Sequence, residues 1–110
     1  MNTLYRNRKL LDLAHRVHEC QFRLTGCAGY SVDGCDPAHS NQSVHGKAKG
    51  LKAADDQHCA ACHSCHMLYD GQLGIVLPRA EAVRLFNEAR ARTFALYEKN
   101  GWLKEVGYDH

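Results

Sequence analysis

The run His58–His66 reads H-C-A-A-C-H-S-C-H, placing three cysteines and three histidines in nine positions. Thiolates and imidazoles at that density bind metal ions. The run holds two overlapping C-x-x-C-H units, Cys59 to His63 and Cys62 to His66. C-x-x-C is half of a zinc site, and C-x-x-C-H is also an attachment site for covalent haem. Two units that share Cys62 cannot both carry haem. Covalent haem also belongs to exported proteins. Residues 1–16 (MNTLYRNRKLLDLAHR) do not read as an export signal, because the apolar stretch is short and broken by charge. Zinc is the better reading.

A closed four-thiolate zinc site takes two pairs of cysteines from separate segments. Cys62 and Cys65 make one pair. Cys20 and Cys27 supply the other across a turn, at a wider spacing than the usual knuckle. Cys59-x-x-Cys62 is an equally regular register, and spacing leaves it open. In the first register Cys35 and Cys59 remain as reduced thiols that act as small apolar side chains.

His66 and Asp70 stand four residues apart, so on a helix they share a face. An imidazole and a carboxylate placed that way form a two-armed ligand set for a divalent ion. The alternative is a His66 that only packs against the zinc knuckle. Lys47, Lys49 and Lys52 lie in a glycine-containing loop. Such a loop can follow phosphates, or it can be an ordinary solvated loop. His63 lies inside the knuckle and His58 just before it, while His15, His18, His45 and His110 show no partner pattern; all six read as surface or satisfied histidines.

These groups need elements to position them. Leu10, Leu11, Leu13, Ala14 and Val17 give a helix over about 5–18 its apolar stripe. Residues 20–27 read as a short extended segment, with Phe22 and Leu24 alternating against polar neighbours, and 28–38 is turn-rich. Residues 40–52 read as an exposed hairpin tip, followed by a strand over about 56–61. A helix starts near Cys65 and stops at Gly71. The clearest element is a helix over 78–99, with Pro78 in its first turn and Gly101 after its end. Ala82, Val83, Phe86, Ala89, Phe94 and Tyr97 form its buried face. Arg84, Glu88 and Arg92 read as a self-paired solvent face. Trp102, Leu103 and Val106 fold back onto the core.

The 110 residues suit one domain (1–110) with a core small enough to gain from a structural metal. Fourteen Lys and Arg against twelve Asp and Glu give no global basic signature, so a nucleic-acid partner would be met by a local patch. No run approaches the ~18 apolar residues of a membrane-spanning helix. The expectation is a cytosolic protein with reduced thiols and no membrane partner.

Taken together, these stretches resemble the HNH, or ββα-metal, nucleases, above all the small HNH-type endonucleases of bacteriophages and prophages. The matching runs are H-E-C-Q-F-R-L-T-G-C (18–27), A-H-S-N-Q (38–42), G-K-A-K-G-L-K-A-A-D (46–55) and C-H-S-C-H-M-L-Y-D (62–70), in the family's order. The resemblance implies an α+β fold. Its zinc-stabilised ββα core would span about 35–71, flanked by an N-terminal helix and a long C-terminal helix. It implies that His39 is the catalytic histidine and that His66 and Asp70 hold a catalytic ion such as Mg²⁺. It places structural zinc on Cys20, Cys27, Cys62 and Cys65, and DNA on Lys47, Lys49 and Lys52. Two departures stand out. Ala38 occupies a position where the family often has Asp or His. No single residue stands for the middle Asn: Gln57 lies nearest that position, with Asp55 and Asp56 just upstream, and Asn41 is another supporting candidate. The expected function is a metal-dependent, weakly sequence-specific DNA endonuclease of phage DNA processing or recombination. The competing expectation is a non-catalytic zinc module that binds nucleic acid or a protein.

Overall fold

The computed structural model describes residues 4–48 and 51–108. It is an α+β fold built on a two-stranded antiparallel ribbon, β1 (Asp36–His39) and β2 (His58–Ala61). The register sets Asp36 opposite Ala61 and His39 opposite His58. Helix α1 (Arg8–Asp12) precedes the ribbon, and α2 (His63–Tyr69) follows β2 directly. Helix α3 (Arg79–Lys99) is the long C-terminal helix, and the short α4 (Trp102–Glu105) follows it.

Strand β2 is the spine of the core. Its four residues His58, Cys59, Ala60 and Ala61 are all buried. Side chains alternate across a strand. Cys59 and Ala61 accordingly join one apolar cluster with Phe22, Tyr69 and Phe86, while Ala60 joins a second with Leu10, Phe94 and Tyr97. Small residues on β2 let α3 approach closely. Thr93 of α3 accepts the Ala60 N–H at 3.0 Å. Phe22, Tyr69 and Phe86 interlock, with centroids 4.9 Å apart for Phe22–Tyr69 and 5.6 Å for the stacked Tyr69–Phe86. These three rings fasten the 20–27 segment, α2 and α3 together.

The expected N-terminal helix is shorter than the apolar stripe suggests. Asn7 caps it, its side chain accepting the Leu10 N–H at 3.1 Å. After Asp12 the chain tightens into a 3₁₀ turn, Leu13–Arg16, and Val17 is already extended. Lateral pairing takes over there. Val17 O accepts the Cys35 N–H at 2.8 Å and His18 O accepts the Ser31 N–H at 2.7 Å. Gly34, at φ 91°, makes this approach possible, since a Cβ would lie 2.0 Å from the His15 carbonyl oxygen.

The extended segment expected at 20–27 is not a strand. Phe22 and Leu24 are buried as anticipated, but Arg23 adopts φ 58°. Gln21 N–H still pairs with Ala60 O of β2 at 2.9 Å, but Arg23 and Leu24 turn their N–H groups toward cysteine sulfurs. Nor is the outer face of α3 wholly self-paired. Arg84 meets Glu88 at 3.4 Å, whereas Arg92 donates to the Gln21 carbonyl at 3.1 Å and ties α3 to the 20–27 segment.

Candidate functional site

Four cysteines converge from two segments. The Sγ atoms of Cys20, Cys27, Cys62 and Cys65 lie within 4.8 Å of one another, and three of the residues are buried. Cys27 and Cys62 are 3.9 Å apart, too far for a disulfide bond of about 2.05 Å. A tetrahedron of ~2.3 Å metal–sulfur bonds sets its sulfurs about 3.8 Å apart. The cluster therefore fits a metal ion such as zinc.

Backbone donors support that charge. Cys20 Sγ accepts the N–H of Arg23 at 3.5 Å and of Cys62 at 3.2 Å. Cys65 Sγ accepts Leu24 N–H at 3.4 Å, Cys62 Sγ accepts Ala28 N–H at 3.5 Å, and Cys27 Sγ accepts Gly29 N–H at 3.2 Å. Every sulfur thus has a donor, as the negative charge of a four-thiolate shell requires. The Cys20 thiol is pushed down to about 4, first by its bond with Cys65 and then by the N–H groups of Arg23, Cys62 and Phe22, against burial. Cys65 moves up, through its bond to Cys20 and then burial.

The geometry also decides the register that spacing left open. Cys59 sits inside β2 and faces the apolar cluster, and Cys35 faces the other cluster. Burial raises both thiols, Cys35 to about 12 and Cys59 well above its ordinary value. Both stay protonated and outside the quartet.

A second group of polar side chains lines a cleft of about 750 Å³ between the N-terminal segment and the β1–α2 face. His39 from the end of β1, His66 from α2 and Asp70 just after that helix all reach it, together with Asn41, Arg8, Lys47 and Lys52. Sequence separation of about thirty residues is closed because α2 packs on β1. Lys49 lies outside the described residues. His15, read from sequence as a surface histidine, also lines this cleft.

His66 Nε2 is 3.2 Å from Asp70 Oδ2, the i, i+4 relation expected on a helix. Its Nδ1 is 3.2 Å from Asp36 Oδ2, which also takes His63 Nδ1 at 3.1 Å. The bond with Asp70 raises the His66 pKa most; burial opposes it and Asp36 adds to the rise. Burial alone would raise Asp36, but His63 and His66 outweigh it and hold the carboxyl below its ordinary value. His66 and Asp70 offer an imidazole nitrogen and a carboxylate oxygen side by side, a donor pair that suits a divalent ion.

His39 Nε2 lies 3.0 Å from Asp55 Oδ1, a nearly buried carboxylate. Asn41 is fixed by Tyr69, whose hydroxyl donates to Asn41 Oδ1 at 2.8 Å and accepts its N–H at 2.9 Å. Gln57 enters through its backbone, its carbonyl accepting the Ser40 N–H at 2.8 Å beside His39. Ala38 is fully buried in the apolar cluster. Sequence reasoning missed Asp36 altogether; D-P two residues before A-H is its only local signal.

No known protein family, curated protein or solved structure matches the chain.

Proposed function

We propose that the chain is a metal-dependent DNA endonuclease of the HNH type, with His39 as general base. The observation that carries this reading is one cleft holding His39 beside the His66–Asp70 pair, with Arg8, Lys47 and Lys52 on its walls. That is the equipment phosphodiester hydrolysis needs: a base for water, a place for a cation, and positive charge for the backbone.

In this reading a neutral His39 takes a proton from water as the water oxygen bonds to phosphorus and the bond to the leaving oxygen breaks. A divalent ion such as Mg²⁺ on His66 and Asp70, when bound, supplies charge that stabilises the leaving oxygen. Lys47 and Lys52 hold the duplex by its phosphates, and Lys49 of the same loop belongs with them. Contacts of that kind position DNA without reading bases, so sequence specificity is weak. Zinc on the four cysteines is closed to substrate and holds the 20–27 segment to the start of α2. The resemblance of its motifs to small phage-encoded HNH endonucleases supports a role in phage DNA processing or recombination.

The test is cleavage of linear, nicked and branched DNA by zinc-loaded protein in a series of Mg²⁺ and Mn²⁺ concentrations, beside His39→Ala. Metal-dependent cleavage that falls about 10²-fold or more in His39→Ala is expected. Intact DNA in every arm, with salt-sensitive binding retained, would replace this reading by a non-catalytic zinc module that binds nucleic acid.

A further inference from the structure

We propose that Asp55 is the positioning residue of His39, and that residues 5–7 lock Asp55 in place. The inference deepens the endonuclease reading and rests on it for its catalytic meaning.

The contact sets which ring nitrogen is free. Asp55 Oδ1 is 3.0 Å from His39 Nε2. An ionised carboxylate only accepts, so Nε2 carries the proton and Nδ1 keeps its lone pair. Nδ1 is therefore the nitrogen that can accept a proton from water. Asp55 is 6% exposed and the His39 side chain 17%, so water competes little for the bond.

Asp55 cannot turn away, because both oxygens are engaged. Oδ2 accepts the Asn7 backbone N–H at 2.8 Å, and Oδ1 also meets Arg6 Nη1 at 3.2 Å. The Asp55 N–H donates to Tyr5 O at 2.9 Å. Arg6 spans the same loop, donating to Ala53 O at 2.6 Å and to Lys52 O at 3.0 Å. The N-terminal segment thus clamps the chain from Lys52 to Asp55 and fixes the base through it. The three donors around this carboxylate also explain why Asp stands here and not Asn. An amide keeps one accepting oxygen, and the fixed backbone N–H of Asn7 claims it; the NH₂ then faces the movable Arg6 and His39, and drives the His39 proton onto Nδ1.

The experiment reads the His39 tautomer directly. Long-range ¹H–¹⁵N spectra of zinc-loaded protein, recorded where the His39 signals show a neutral ring, distinguish Nε2–H from Nδ1–H. The expected result is Nε2–H in the wild type and a shift toward Nδ1–H in Asp55→Asn. With it goes a kcat loss of roughly 10²-fold, KM changed less than about twofold, and an unchanged circular dichroism spectrum. Arg6→Met, which keeps the Asn7 tie, gives a smaller kcat loss. A wild-type His39 in the Nδ1–H form overturns the proposal, and so does an Asp55→Asn protein with unaltered tautomer and kcat. If Asp55→Asn does not fold, the wild-type tautomer and Arg6→Met decide the question. If wild-type protein cuts no DNA, the endonuclease reading fails while the tautomer still decides whether Asp55 orients His39.

Discussion

Asp36 Oδ2 lies 3.2 Å from Nδ1 of His66, on the side of the ring away from Asp70. A histidine that binds a metal through one nitrogen gives the other N–H to a carboxylate, which fixes its orientation and strengthens it as a ligand. If His66 holds the proposed divalent ion through Nε2, Asp36 stands in that place. Asp36→Asn is expected to weaken binding of Mn²⁺ about 10–100-fold while zinc content stays constant. Titration calorimetry of zinc-loaded protein with Mn²⁺ measures this. An unchanged affinity would mean that Asp36 serves only His63.

The four-cysteine cluster predicts one zinc per chain. Apparent binding energies of structural zinc, about 10–16 kcal/mol in small domains, match or exceed the whole net stability of an ordinary domain. Cys65→Ser, or exhaustive chelation, should therefore abolish both the metal and the cooperative unfolding transition. Cys35→Ala and Cys59→Ala should each keep one zinc, because their thiols face apolar clusters. Metal analysis with thermal melts checks both halves. Loss of zinc from Cys59→Ala would restore the register that β2 argues against.

How much of this was legible in the sequence follows from the range of each interaction. Helix α3 and the His66–Asp70 pair are local, and periodicities of three and four give them directly. The cysteine quartet was legible because few residue types bind zinc and only so many pairings are possible. Choosing Cys65 over Cys59 as the partner of Cys62 needed the strand, since β2 runs to Ala61 and turns Cys59 into the core. The contacts Asp36–His66 and Asp55–His39 join residues far apart in the chain, and a lone aspartate leaves no local mark. The N-terminal stripe misled for the opposite reason. Val17 is as apolar as Leu13, but its carbonyl is spent on Cys35, and a helix could not release it.

His58 gives the fold a pH dependence. It is fully buried, its Nδ1–H donating to the Asp55 carbonyl at 2.7 Å and its Nε2 accepting from the Tyr97 hydroxyl at 2.9 Å. Burial pushes its pKa down to about 4, from about 6.5 in an unfolded chain. Between those values the unfolded chain takes up a proton that the native protein refuses. The His58 contribution is therefore complete above about pH 6.5 and is lost as pH falls toward 4, to a total on the order of 3 kcal/mol. Urea unfolding at about pH 7.5 and about pH 5.5 should show roughly 1 kcal/mol of this loss. His58→Gln keeps a donor and an acceptor, and it should unfold more easily at both values but with a flatter pH dependence. Equal slopes in the two proteins would remove His58 as the source.

Lys47 and Lys52 bring the electrostatic reading of the cleft to a measurable slope. Both are exposed on the rim that holds His39 and the His66–Asp70 pair. A lysine that neutralises a phosphate releases a condensed counterion, so each such contact adds about 0.9 to the slope of log affinity against log salt concentration. The double variant Lys47→Ala, Lys52→Ala should lower that slope by up to about 1.8 and weaken binding of a short duplex to a similar degree whatever its sequence. The rate at saturating DNA should fall far less than in His39→Ala, because in the proposed reading these lysines hold the substrate and do not move its protons. Fluorescence anisotropy across a salt series, with cleavage rates alongside, separates the two effects. An unchanged slope would place the DNA elsewhere on the surface, while a collapse of the saturated rate would put a lysine at the reacting phosphate.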